Sequence, residues 1–151
     1  MSSFTDADVE LSIYSDLSYL DIVQEISDRI SQSIGFEGDS QYWIGLSVRE
    51  AVTNAIQHGN GNDRKKKVHL RFKVGVDRLL ISVRDQGEGI DESKIPDPLD
   101  PQNLLKPGGR GIFFIRSFMD NVRFSNCPEG GYELIMEKMQ NQEQQGEEDE
   151  N

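Results

Sequence analysis

Val68, Leu70, Phe72 and Val74 alternate with polar residues, the chain turns within Gly75 to Arg78, and Leu79, Ile81 and Val83 alternate again. A period of two places every apolar side chain on one face of a strand, and so short a turn folds the second strand back antiparallel on the first. Val122 and Phe124, the turn from Pro128 to Gly131, and Tyr132, Leu134 and Met136 repeat the arrangement. Two hairpins with one apolar face each require a cover. Leu20, Val23, Ile26, Ile30 and Ile34 keep the three-and-four spacing of a helix that Gly35 stops, and Tyr42 to His58 reads as a second helix, with Ile44, Val48, Ala51, Val52, Ala55 and Ile56 apolar, ending at Gly59. Gly38, Asp39 and Ser40 break the pattern between the two. Val9, Leu11 and Ile13 form a further strand before the N-cap candidates Ser15, Asp16 and Ser18, and Ile112 to Met119 forms a third helix from the Gly111 breakpoint. Strands do not alternate singly with helices. The expected fold class is therefore α+β, a two-layer α/β sandwich whose mixed or antiparallel sheet is covered by helices on one face.

A chain of 151 residues fits one core. Residues 1–139 are expected to form the domain and 140–151 an acidic, disordered tail, since Glu143, Glu147, Glu148, Asp149 and Glu150 stand there without a base. The formal charge of −11 argues against a broad contact with a phosphate backbone, so no direct nucleic acid partner is expected. No apolar run approaches the roughly 20 residues of a membrane helix, and no basic-then-apolar leader opens the chain. The expectation is a cytoplasmic protein with no membrane partner. One cysteine, Cys127, and two histidines exclude an internal disulfide and a self-sufficient zinc site, which leaves oxygen as the donor for any metal. Gly59 to Lys67 reads as a solvated loop ending in the bases Arg64 to Lys67. The stretch from Asp91 to Gly108, with Pro96, Pro98, Pro101 and Pro107, is too long for a plain connector and reads as a mobile lid.

Three constellations carry chemistry. Glu50, Asn54 and His58 are spaced four apart, so on a helix each is turned by only about 40° and raised by about 6 Å from the last. A carboxylate can accept a proton from an attacking hydroxyl, and a carboxamide oxygen is a hard neutral ligand for Mg²⁺. Alone, such a stripe is the wet face of an amphipathic helix. Asp85-Gln86-Gly87-Glu88-Gly89 sets a carboxylate at a strand end before alternate glycines; a buried carboxylate can accept from the exocyclic amine of adenine, and glycine permits close approach. Gly108-Gly109-Arg110-Gly111 opens a helix, where free backbone N–H groups favour phosphate and Arg110 adds a charged fork. No Gly-Lys-Ser/Thr occurs, and Glu92 and Phe114 stand where a dinucleotide fingerprint would need its third glycine.

In this order the motifs resemble those of the GHKL ATPase superfamily. Glu50-Ala-Val-Thr-Asn54-Ala-Ile-Gln-His58 is similar to its N box, Asp85 to Gly89 to its first glycine box, and Gly109 to Gly111 to its second. Within the superfamily the chain is most similar to the anti-sigma-factor serine kinases of bacterial partner-switching modules, on the strength of its length, the segment Asp97-Pro-Leu-Asp-Pro-Gln-Asn-Leu-Leu and the run from Gly109 to Val122. The resemblance implies a Bergerat ATP-binding fold for ATP/ADP and Mg²⁺. Glu50 would be the catalytic base toward a serine hydroxyl and Arg110 would act near the γ-phosphate. Asn54 would hold Mg²⁺ and Asp85 would read adenine. His58, Gly87, Gly89, Gly109, Gly111 and Ile112 would complete the cofactor site, although for His58 the structural role, a favourable imidazole at a helix C-terminus, is the preferred reading over a place in the pocket wall. The implied partners are a STAS-domain anti-sigma antagonist as substrate, a sigma factor, and a second copy in a homodimer. The alternative is a nucleotide-responsive anti-sigma or other binding module without phosphoryl transfer. A detached ATPase domain of a histidine kinase or topoisomerase-like machine is less favoured, because no phosphoacceptor helix pair precedes the motifs and no transducer domain follows them.

Overall fold

The computed structural model describes residues 4–89 and 109–140. The segment read as a lid, Asp91 to Gly108, and the acidic tail beyond Gln140 lie outside the described residues. Among the described residues five strands form one sheet: β1 (Phe4–Tyr14), β2 (Lys67–Gly75), β3 (Arg78–Arg84), β4 (Asn121–Asn126) and β5 (Tyr132–Met139). Their spatial order is β1-β2-β3-β5-β4, and each neighbouring pair is antiparallel. The sheet is thus wholly antiparallel, the second of the two forms expected. Both hairpins take the register that alternation requires, Val74 opposite Leu79 and Phe124 opposite Leu134.

Of the described residues, three α-helices lie on one face: α1 (Leu20–Ile34), α2 (Gly38–Asn54) and α3 (Gly109–Phe118). The core is the layer between them and the sheet. Phe72, Leu70, Ile81, Leu79 and Met136 are fully buried from the sheet, against Val23 of α1, Ile44, Val48 and Val52 of α2 and Ile115 of α3. Each such side chain contributes about 1.5–3 kcal/mol of burial. Gly35 stops α1 with φ of 104°. Asp16 caps the single turn before α1, its Oδ1 accepting from the Ser18 backbone N–H at 2.9 Å.

Two boundaries differ from the sequence reading. α2 begins at Gly38, four residues earlier than Tyr42, because Asp39 and Ser40 are unfavourable inside a helix but suited to its first turn, where the free N–H groups point. At the other end α2 stops at Asn54, and Ala55–Gly59 continues as one π-helical turn, closed by the Asn60 N–H on the Ala55 carbonyl at 2.8 Å.

α3 is held against α2 by aromatic rings. Trp43 stacks on Phe118 at 4.1 Å between centroids and meets Phe114 edge-on at 5.9 Å. Gln140 fastens the end of β5, donating from its backbone to the Asp77 carbonyl at 2.7 Å and from Nε2 to the Ile34 carbonyl at 2.6 Å. Among the described residues no helix is long and apolar enough to cross a membrane.

Candidate functional site

The site grows from the half-buried polar side of α2 and from its π turn. Trp43 and Glu50 are two helical turns apart on one face of α2, and Gly111 and Phe118 are two turns apart on one face of α3. Trp43 meets Phe118 while Glu50 meets Gly111, so the two helices run antiparallel and in register. The contact at Gly111 is close: a Cβ there would collide with the Glu50 carboxylate, first at Oε1. Glycine lets the helix start come down onto the carboxylate. Gly109 and Arg110 are the first two residues of α3, and Ile112, half-buried, follows Gly111 in its first turn.

The other end of the same rod meets Asp85. A Cβ on Gly59 would collide with the Asp85 carboxylate, first at Oδ2, and one on Gly87 would collide with the Gly59 carbonyl. Asp85 is 5 % exposed. Its Oδ1 accepts from the Gly87 N–H at 2.9 Å and the Tyr132 N–H at 3.1 Å, while its own N–H donates to the Tyr132 carbonyl at 3.0 Å. One carboxylate oxygen is thereby anchored to the turn and to β5, and the other faces Gly59. Gly89 has φ of 82° and packs on the Asn126 side chain at the end of β4.

Asn54 lies between the two contacts, half-buried, and its side chain makes no capping bond to the turn that follows. From Glu50 to Gly59 the rod advances by about 13 Å. Glu50, Asn54 and Asp85 are therefore strung along one wall. His58 is exposed on the π turn, where the widened winding takes it off the straight stripe expected from a regular helix.

The donor set fits a nucleotide and its cation. Both glycine contacts are cradles that any side chain would fill. Among the described residues no three His, Cys, Asp or Glu side chains come together as a metal cage; a single carboxamide oxygen suits Mg²⁺, which takes much of its shell from water and from substrate phosphates. Asp85 also borders a cavity of about 250 Å³ on the other side, lined by Ser12, Lys67, His69, Arg84, Gln86 and Glu129, which includes none of Glu50, Asn54 or His58.

Sequence reasoning singled out neither Gly59, taken only as a helix stop, nor Asn60. Asn60 is 3 % exposed and bonded to three separate segments. A polar residue that follows a helix end by one position is the signal that was available.

Residues 13–138 match the family described as histidine kinase-like ATPase domain. The serine-protein kinase RsbW of Bacillus licheniformis is 33 % identical over 131 residues, covering 83 % of this chain and 81 % of that protein. The protein of the same name from Bacillus velezensis (strain DSM 23117 / BGSC 10A6 / LMG 26770 / FZB42) is 30 % identical over 141 residues, 89 % of this chain and 87 % of that one. Among solved structures, the histidine kinase domain of the blue-light activated histidine kinase from Erythrobacter litoralis EL346 superposes with a TM-score of 0.54 at 20 % identity, covering 96 % of this chain and 67 % of its own, a likeness of fold.

Proposed function

Because the chain belongs to the histidine kinase-like ATPase domain family, we propose that it is an ATP-dependent protein serine kinase and anti-sigma factor, which phosphorylates a serine of a STAS-type antagonist and sequesters a sigma factor. The observation that carries this reading is the placement of Glu50 against Gly111 and of Asp85 against Gly59 at opposite ends of one helical rod, with Asn54 between them. The purine end of a nucleoside triphosphate and its γ-phosphate need two such stations. Relatives named serine-protein kinase, and one named anti-sigma F factor that is 37 % identical over 95 residues, support the two halves of the activity.

In this mechanism Asp85 accepts from the exocyclic amine of adenine and so selects ATP over GTP. The start of α3 offers its backbone N–H groups to the phosphates, and the role proposed for Arg110 is to add positive charge near the γ-phosphate. Glu50 orients the serine hydroxyl and accepts its proton as the serine oxygen bonds to the γ-phosphorus and the bond to the departing ADP oxygen breaks. Asn54 would hold Mg²⁺, whose charge, when bound, neutralises the phosphate oxygens. His58, Gly87, Gly89, Gly109 and Ile112 line the remaining contacts. The setting is cytoplasmic and the assembly a homodimer.

Transfer of labelled γ-phosphate to a purified antagonist, compared between wild type and Glu50→Ala, tests the reading. Binding of ATP and antagonist retained with transfer lost supports the kinase. Equal absence of transfer in both proteins, with sigma-factor binding intact, leaves the nucleotide-responsive binding module.

A further inference from the structure

Asn60 is the only buried carboxamide among the described residues, and its side chain donates two hydrogen bonds and accepts one, each with a different part of the chain. Nδ2 donates to the Ser15 hydroxyl at 2.9 Å, beyond the end of β1, and to the Lys67 carbonyl at 3.0 Å, at the start of β2; Oδ1 accepts from the Gln86 N–H at 2.8 Å, between Asp85 and Gly87. A carbonyl on one side and an N–H on the other fix which way the amide points. Gln86 returns a second tie, its Oε1 accepting from the Lys67 N–H at 2.6 Å. The backbone of Asn60 meanwhile closes the π turn on Ala55 at 2.8 Å. One residue therefore joins the helical rod that bears Glu50 and Asn54 to the strand end that bears Asp85. The adjoining residue, Gly59, is the one that touches both Asp85 and Gly87.

We propose that Asn60 is a positioning residue for purine recognition: it fixes the depth and angle of the Asp85 carboxylate relative to the phosphate-handling end of the rod. This rests on the ATP-kinase reading above. Without the carboxamide the Gln86 N–H loses its acceptor, the turn that bears Asp85 and Gly87 is freed from the π turn, and the base sits against a carboxylate that wanders. Chemistry at the far end of the rod, between Glu50 and Gly111, is left in place. The residue should act on nucleotide affinity and on base choice and only weakly on the rate once the site is filled. Asn60→Asp is the sharper substitution. It keeps the acceptor for Gln86 but turns a carboxylate oxygen toward the Lys67 carbonyl, which repels it.

The test measures equilibrium binding of Mg-ATP and Mg-GTP, kcat and KM for ATP, and Tm, for the full chain and for Asn60→Ala, Asn60→Asp, Gln86→Ala and Ser15→Ala. Both Asn60 variants should raise the ATP Kd and KM about tenfold or more, lower the ATP-over-GTP preference, and leave kcat within about threefold. Gln86→Ala removes only the second tie from an exposed residue and should raise KM by about threefold with Tm nearly unchanged, a reading that survives if the Asn60 variants do not fold. Ser15→Ala, which weakens the same network on the side away from Asp85, should lower Tm while leaving KM and base preference as in the wild type. Wild-type KM and base preference in the Asn60 variants, whatever their Tm, or in Gln86→Ala where those do not fold, overturns the proposal and makes Asn60 a fold residue only. A wild-type protein that binds no ATP overturns the kinase reading itself, a different outcome.

Discussion

The Asp85 carboxylate is held through Oδ1, which accepts from Gly87 and Tyr132, and presented through Oδ2, which faces Gly59. That asymmetry determines what a substitution does. In Asp85→Asn the two backbone N–H groups retain the amide oxygen and force the NH2 into the place of Oδ2, where it opposes the adenine amine and suits the guanine carbonyl. ATP affinity should fall by about 10- to 100-fold and GTP should gain relative to ATP, measurable by titration calorimetry. Gly111→Ala acts at the opposite end. Its Cβ would displace the Glu50 carboxylate, and a misplacement of this size should lower phosphoryl transfer by about 100-fold in single-turnover assays, with ATP affinity less affected. Asp85, Glu50 and Gly111 are singled out by the sequence because they stand in short motifs. Asn60 is not, since it stands in a loop with Asn62 and Asp63, and its partner Ser15 is 45 residues away in the chain.

At the scale of elements, the contact between α1 and α2 shows what periodicity leaves out. The expected inward row of α1 is buried at Leu20 and Val23 and packs against the core at Ile30 and Ile34, half-buried, yet Ser27 and Ser31 beside it are fully buried. Small residues let the helices approach closely, with Gly45 of α2 set against Asp28 of α1. A pattern of large apolar side chains is blind to a seam made of small ones. Ser31 satisfies its hydroxyl on the Ser27 carbonyl at 2.8 Å, whereas the Ser27 and Ser47 hydroxyls have no partner among the described residues. The same close approach half-buries Asp28, and burial foremost, with Glu25 beside it, raises its carboxyl above the usual range. A raised acid binds its proton more tightly in the folded state, so its stabilising share is complete below the ordinary value of 3.8 and is lost as pH rises through the folded value. At neutral pH the ionised carboxylate is a net cost. Asp28→Asn should therefore raise Tm at pH 7, and the advantage should shrink toward zero as melting is repeated below about pH 4.

Across the whole molecule, the site lies where the end of β3, the starts of β2 and β5 and the chain just past β1 converge under the π turn, while α2 and α3 close its other end. The order of strands and helices was readable because each element carries its own period. The convergence was not, since it depends on strand order and on bonds between distant segments. A nucleotide seated there would touch both layers of the sandwich, so its binding energy should appear in global unfolding. At a ligand concentration about 100 times Kd the native state gains about 2.7 kcal/mol, which for a domain of this size raises Tm by about 5–10 °C. Thermal melting with Mg-ATP should show one transition moved up by that amount. GTP at the same concentration should move it little, and the roughly 10- to 100-fold weaker binding of Asp85→Asn should cut the ATP gain to about 0.4–1.4 kcal/mol, half the wild-type shift or less. Two separate transitions, or equal shifts from ATP and GTP, would mean that the nucleotide grips one layer only and that Asp85 does not read the base.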